Sequence, residues 1–135
     1  MSPSDLREMQ KKIHQTAKEK GWWQGWPDPE KRIPEAIALI HSELSEALEE
    51  YRKGMPPALA YHLDDPGSDS PAAVRITYAD ARAGRKPEGF GVELADAIIR
   101  ILDLAEALGI DMTSLVITKM RFNETRPHRH GGKRA

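Results

Sequence analysis

Two short carboxylate pairs are the residues of this chain best suited to chemistry. ELSE places Glu43 and Glu46 three residues apart, and ELAD places Glu93 and Asp96 three apart. Side chains three apart on a helix share a face, so each pair aims two oxygen ligands in one direction. If the two helices lie side by side with those faces together, four carboxylates converge and repel one another unless a cation stands between them. An all-oxygen set suits a hard ion, Mg²⁺ or Mn²⁺. A di-iron carboxylate bundle is the obvious rival. It needs a histidine three residues after a glutamate on two helices, and no glutamate here has one.

The surroundings of each pair sharpen this expectation. ELSEALEE, Glu43 to Glu50, holds four glutamates in eight residues. At roughly 100° per residue, Glu43, Glu46 and Glu50 share one side of a helix, while Glu49 points away to solvent. The second pair lies in GVELADAIIRILDLAEAL, which is apolar almost all round apart from a seam of Glu93, Asp96, Arg100 and Asp103. A helix apolar all round is normally buried, and carboxylates withdrawn from water need partners. A cation would serve; so would Arg100, one turn from Asp96, or water along the seam. Periodicity alone leaves these open.

A third segment supplies the opposite charge. Lys119, Asn123 and Arg126 fall on one side of a helix, the apolar side, with Met112, Leu115, Val116 and Phe122. Cations on an apolar face either snorkel or meet an anion. Acids on two helices and bases on a third suggest a metal-bound polyphosphate, with the metal and the basic side chains sharing the phosphate oxygens.

Four main helices must position these residues. The first is predicted from about Ser4 to Lys20, with an apolar stripe of Leu6, Met9, Ile13 and Ala17, ending at Gly21 before a loop with Trp22, Trp23 and Trp26. The second runs from about Arg32 to Lys53. Pro34 sits in its first turn, Ile33, Ile37, Ile40, Leu44, Leu48 and Tyr51 form its stripe, and Gly54 ends it. The third spans about Phe90 to Leu108. The fourth starts after Asp111, a good N-cap, and reaches about Thr125. A connection of unusual length, 55–89, separates the second and third helices. Its middle, AAVRITYADARAG, fits a short strand or a helical turn, and a long loop in a small domain is usually functional or disordered. With no convincing strand, the expectation is an all-α helical bundle.

Bulk composition bounds the function. The 135 residues suit a single domain, 1–135. Helical chains of this size often complete their core by oligomerising. A net charge of -1 gives no global pull toward nucleic acid or anionic membrane. The absence of cysteine excludes disulfides, thiolate metal sites and cysteine nucleophiles. The polar start MSPSDLREMQKK is no signal peptide, and no apolar run is long enough to cross a bilayer, so the expected location is cytoplasmic. The 127–135 segment is a basic tail, expected to be solvated, although its His128 and His130 are able to meet metal or phosphate.

On these residues the sequence resembles the MazG-like, all-α nucleoside triphosphate pyrophosphohydrolases. The family pattern is Glu-x-x-Glu then Glu-x-x-Asp on neighbouring helices, here ELSE and ELAD, with a downstream Lys-x-x-x-Asn-x-x-Arg, here KMRFNETR; the ending RPHRHGGK is also similar. The 55–89 connection makes the spacing between the carboxylate pairs longer than is usual. The resemblance implies Mg²⁺-dependent cleavage between the α and β phosphates of (deoxy)nucleoside triphosphates, releasing a monophosphate and pyrophosphate in nucleotide-pool house-cleaning. It implies Glu43, Glu46, Glu93 and Asp96 as metal ligands, Lys119, Asn123 and Arg126 as phosphate ligands, and Glu46 or Glu50 as the carboxylate orienting the attacking water. His14 and Trp23, nine apart, match the pair that contacts the base in some relatives. It also implies a dimer or tetramer. The alternatives are a phosphoribosyl-ATP pyrophosphatase of histidine synthesis, which shares the carboxylate logic, and a non-catalytic helical scaffold or nucleotide sensor.

Overall fold

The computed structural model describes residues 6–128. Most of the basic tail, including Arg129, His130, Lys133 and Arg134, lies outside the described residues. The chain is mostly helical, in the order α1 (Leu6–Glu19), a 3-10 turn (Pro29–Arg32), α2 (Ile33–Arg52), β1 (Tyr61–Leu63), β2 (Ala73–Arg75), α3 (Tyr78–Arg82), α4 (Phe90–Ala107) and α5 (Met112–Thr125). The four main helices fall within two residues of their predicted limits, because their ends carry local signals. Pro34 occupies the first turn of α2, Gly54 takes the left-handed φ of 83° that stops it, and the Asp111 side chain caps α5 by accepting from the Ser114 N–H.

The described residues gather into two compact units. One comprises those up to Glu30 and from Leu102 onward; the other is Lys31–Ile101.

In the first unit α1 packs against α5. Its core contains Ala17, Leu102, Leu104 and Ala105. Gln10 is buried among them, donating to Glu106 Oε1 at 3.0 Å and to the Ile110 carbonyl at 2.8 Å. Arg7 Nη2 donates to both oxygens of Asp111 at 3.1 and 2.9 Å, so the cap of α5 is also an exposed tie to α1. The predicted stripe of α1 is only partly buried, with Met9 39 % exposed. The line that goes inside is Gln10, His14 and Ala17, because hydrogen bonds to α4 residues satisfy its polar members.

In the second unit the buried line of α2 is Glu43, Ala47 and Glu50. That corrects the stripe expected from hydrophobicity: Leu44 and Leu48 remain 47 % and 46 % exposed, and Tyr51 61 %. The inward sector is turned by roughly 90° from the aliphatic stripe. The physical reason is that Glu43 and Glu50 each find a donor inside the unit, Arg100 and Tyr61. α4 departs in the same way. Ala97 is buried, yet Leu94, Ile98, Ile99 and Ile101 keep between 38 % and 51 % exposure, so this helix is not enclosed all round.

The 55–89 connection contains folded structure rather than open loop. AAVRITYADARAG makes both elements it was compatible with, strand β2 and helix α3. β1 and β2 pair antiparallel, with Tyr61 opposite Arg75 and Leu63 opposite Ala73. This small sheet is the one departure from the all-α expectation among the described residues. Thr77 and Asp80 form a reciprocal capping box on α3, and buried His62 lies 3.9 Å from Asp80 through Nε2. Tyr61 also exchanges backbone hydrogen bonds with Glu88, at 2.9 and 2.7 Å, which returns the chain to the start of α4. There Gly89 has φ 130°, and a Cβ on it would lie 2.5 Å from the Leu59 carbonyl oxygen. Only glycine fits, and α4 begins immediately after it.

Candidate metal centre

α2 and the first part of α4 position the acidic cluster, and both belong to the Lys31–Ile101 unit. One oxygen each from Glu43, Glu93 and Asp96 lies within 4.8 Å of the others. Glu43 is 6 % exposed, and Glu93 and Asp96 are half-buried. Glu43 Oε1 accepts from Arg100 Nε at 2.8 Å. Its other oxygen, Oε2, is buried with no hydrogen-bond partner, and so is Glu93 Oε2. A buried carboxylate oxygen without a donor loses its hydration for nothing in return. Two of them stand in one cluster of acids.

Electrostatics agree with the geometry. Burial, then hydrogen bonding with Glu46 and Glu43 and the charges of Glu46 and Asp96, push the Glu93 carboxyl up to about 8. A proton held among these acids, or a cation in its place, would relieve the repulsion that raises it. Burial and the charge of Glu43 also raise Asp96, although Arg100 opposes them. Burial works to raise Glu43 too, but the hydrogen bond from Arg100, together with those of Glu93 and Glu46 and the Arg100 charge, brings it below the usual carboxylate range. The site is thus short of positive charge, and an all-oxygen donor set with orphaned oxygens fits a hard divalent cation.

Three of the four expected metal ligands come together here. Glu46 is exposed and stands outside the three-oxygen cluster, while bearing on Glu93. Glu50, on the same side of α2, is 6 % exposed. Both its oxygens accept from the Tyr61 hydroxyl, at 3.1 and 2.9 Å, and Lys53 approaches to 3.7 Å. Glu49 is exposed beside Arg52. The ion pair between Arg100 and the acids, held open beside a cation on sequence grounds, is present, and it leaves Glu43 Oε2 unserved.

His14 and Trp23 are brought together in the other unit, with ring centres 5.5 Å apart and nearly perpendicular planes. Their N–H groups converge on one carboxylate. His14 Nδ1 lies 2.7 Å from Asp103 Oδ1, and Trp23 Nε1 donates to both Asp103 oxygens at 2.9 and 3.0 Å. Trp23 also lines an open concavity of about 490 Å³ with Lys18, Glu19, Gly21 and Gln24. Of the trio expected to bind phosphate, Lys119 and Arg126 gather over the Phe122 ring, at 4.8 and 5.7 Å from its centre, and Asn123 is exposed between them in sequence. This trio is in the unit of α1 and α5, and the acidic cluster is in the other.

Sequence reasoning missed Tyr61 and the work of Asp103. Tyr61 carried no signal, since the strand or helical turn expected in the connection fell at 72–84, beyond it. Asp103 was visible as part of the polar seam, seven residues after Asp96, but nothing local paired it with His14 and Trp23. Comparison with protein-family models, curated proteins and solved structures finds no match. Among the described residues, no helix is long and apolar enough to cross a membrane.

Proposed function

We propose that the chain is a Mg²⁺-dependent nucleoside triphosphate pyrophosphohydrolase, cutting between the α and β phosphates in nucleotide-pool house-cleaning. The observation that carries this is the pair of orphaned buried oxygens, Glu43 Oε2 and Glu93 Oε2, beside Asp96. The ELSE, ELAD and KMRFNETR resemblance to MazG-like enzymes supports it. Glu43, Glu93 and Asp96 would hold the ion, with Mn²⁺ as a substitute. Mg²⁺ bound there supplies a Lewis acid and lowers the pKa of water.

The chain's own residues do the rest. Of the two carboxylates proposed to orient water, Glu46 is the better placed. It is exposed next to Glu93, whereas both oxygens of Glu50 are engaged by Tyr61. Glu46 takes a proton from water as the oxygen attacks phosphorus; the bridging P–O bond breaks, giving monophosphate and pyrophosphate. Lys119, Asn123 and Arg126 bind phosphate, and Trp23, with His14, meets the base. Exposed aliphatic faces on α2 and α5, including Leu44, Leu48, Leu115 and Met120, support a homo-oligomer in which another copy covers them.

The test is incubation of the full chain with a panel of nucleoside triphosphates and Mg²⁺ or Mn²⁺, followed by chromatography. Monophosphate plus pyrophosphate is expected. Diphosphate plus orthophosphate would place the cut at the wrong bond, and absence of any product would sink the reading.

A further inference from the structure

Arg100 is the cation paired with the acidic cluster among the described residues, and only part of it is used. Its Nε donates to Glu43 Oε1 at 2.8 Å. The terminal guanidinium nitrogens have no partner among the described residues, and the side chain is 40 % exposed while that of Glu43 is 8 % exposed. Arg100, with 40 % of its side chain in solvent, thus meets a buried carboxylate through one nitrogen and leaves the other donors of its fork unused.

That arrangement is wasteful for a plain ion pair. A guanidinium neutralising a carboxylate does so best with two parallel hydrogen bonds, and here the second Glu43 oxygen receives none. The single bond serves Oε1 and leaves Oε2 without a donor beside the neighbouring acids. Arg100 also stands one turn after Asp96 on α4, and its charge acts on that carboxylate too. Once a divalent ion takes over the negative charge of the three acids, the charge of Arg100 is no longer needed by them. It is then an exposed cation at the rim of a cation site, with free donors in the geometry that suits phosphate oxygens.

We propose that Arg100 is a phosphate ligand in the reaction assigned above, on which this inference rests. While Nε stays on Glu43, its terminal nitrogens bind the diphosphate end of the substrate. Arg100 thereby adds a phosphate ligand within the same unit as the carboxylates, besides the Lys119, Asn123 and Arg126 trio.

Calorimetric titration of the full-length protein tests this with two probes, Mg²⁺ alone and then inorganic pyrophosphate at saturating Mg²⁺. Wild type, Arg100→Lys and Arg100→Gln are compared, with circular dichroism to establish folding. The glutamine variant should bind Mg²⁺ as well as wild type or better, because a positive charge has left the site. It should bind pyrophosphate about tenfold more weakly or worse, the loss of one or two charge-assisted hydrogen bonds, with the lysine variant between. Pyrophosphate binding within about twofold of wild type in both variants, a difference too small for one such bond, overturns the proposal. So does loss of Mg²⁺ binding in both, which would leave Arg100 only a support for the acids. If Arg100→Gln does not fold, Arg100→Lys is judged by the same criteria. Wild type that binds neither probe refutes the cation reading itself, a result distinct from failure of the Arg100 assignment.

Discussion

The hydroxyl of Tyr61, on the first strand of the long connection, donates to both carboxylate oxygens of Glu50 on α2, at 3.1 and 2.9 Å. Both residues are buried, at 5 % and 6 % exposure. Burial first, then the hydrogen bond and charge of Glu50 with the charges of Glu88 and Glu93, hold the phenol well above its usual range, so it stays a donor. The connection is therefore fastened to the helix that carries Glu43 of the acidic cluster.

Removing that hydroxyl should loosen the fastening. Tyr61→Phe leaves a buried carboxylate short of its donor, and we expect a loss of about 1–3 kcal/mol in urea unfolding. Turnover should survive in the folded fraction. Unchanged stability would mean that Lys53 or water serves Glu50 equally well.

Glu93 makes the protein's stability depend on pH in a stated direction. The folded carboxyl lies at about 8 against an ordinary 4.5. Between those values the folded chain keeps a proton that the unfolded chain has released, so stability falls as pH rises through that window. With a chelator present, Tm should drop from pH 5 to pH 8.5, and Glu93→Gln should flatten that slope. Mg²⁺ should offset the drop most at the alkaline end, where the cluster is ionised. A chelated protein whose Tm rises steadily over this range contradicts the shift.

The split within ELSEALEE is a question for turnover. Glu46→Gln should abolish pyrophosphate release while the variant remains folded, because its exposed carboxylate acts on Glu93. Glu49→Gln should keep near-wild-type turnover, its partner being the exposed Arg52 at 3.7 Å. Equal losses in a pyrophosphate-release assay would dissolve the distinction.

Asp103 holds the two rings proposed for base contact. Asp103→Asn replaces an acceptor of three N–H contacts by a group with one acceptor oxygen. We expect the indole N–H resonance of Trp23 to shift, the apparent KM for nucleotide to rise and kcat to change little. A KM equal to wild type, with the resonance moved, would make the cluster purely structural.

Gly89 sets the start of α4, and so the depth of Glu93 four residues later. Gly89→Ala adds a Cβ 2.5 Å from the Leu59 carbonyl at a φ of 130°. A destabilisation of about 1–3 kcal/mol is expected from strain alone, read by thermal or urea unfolding, and Mg²⁺ affinity should fall with it. Wild-type stability would mean that the approach of residues 59 and 89 relaxes freely.

Much of this was legible in the chain. Helix limits followed from caps and breakers such as Asp111, Pro34 and Gly54, because those act within a few residues. The acidic pairs followed from helical spacing, which fixes how Glu43, Glu46 and Glu50 are disposed around one axis. What periodicity cannot supply is the direction that axis faces. It predicted burial for Leu44 and Leu48, and the structure buries Glu43, Ala47 and Glu50 instead. It left the middle of the connection open between a short strand and a helical turn, where both form and β1 pairs with the strand. The deciding contacts join residues distant in sequence: Arg100 to Glu43 across 57 positions, Trp23 to Asp103 across 80 and His14 to Asp103 across 89. A local pattern places a side chain on its own helix; only the packed chain determines which donor it meets, and therefore which carboxylate oxygens are left for a cation.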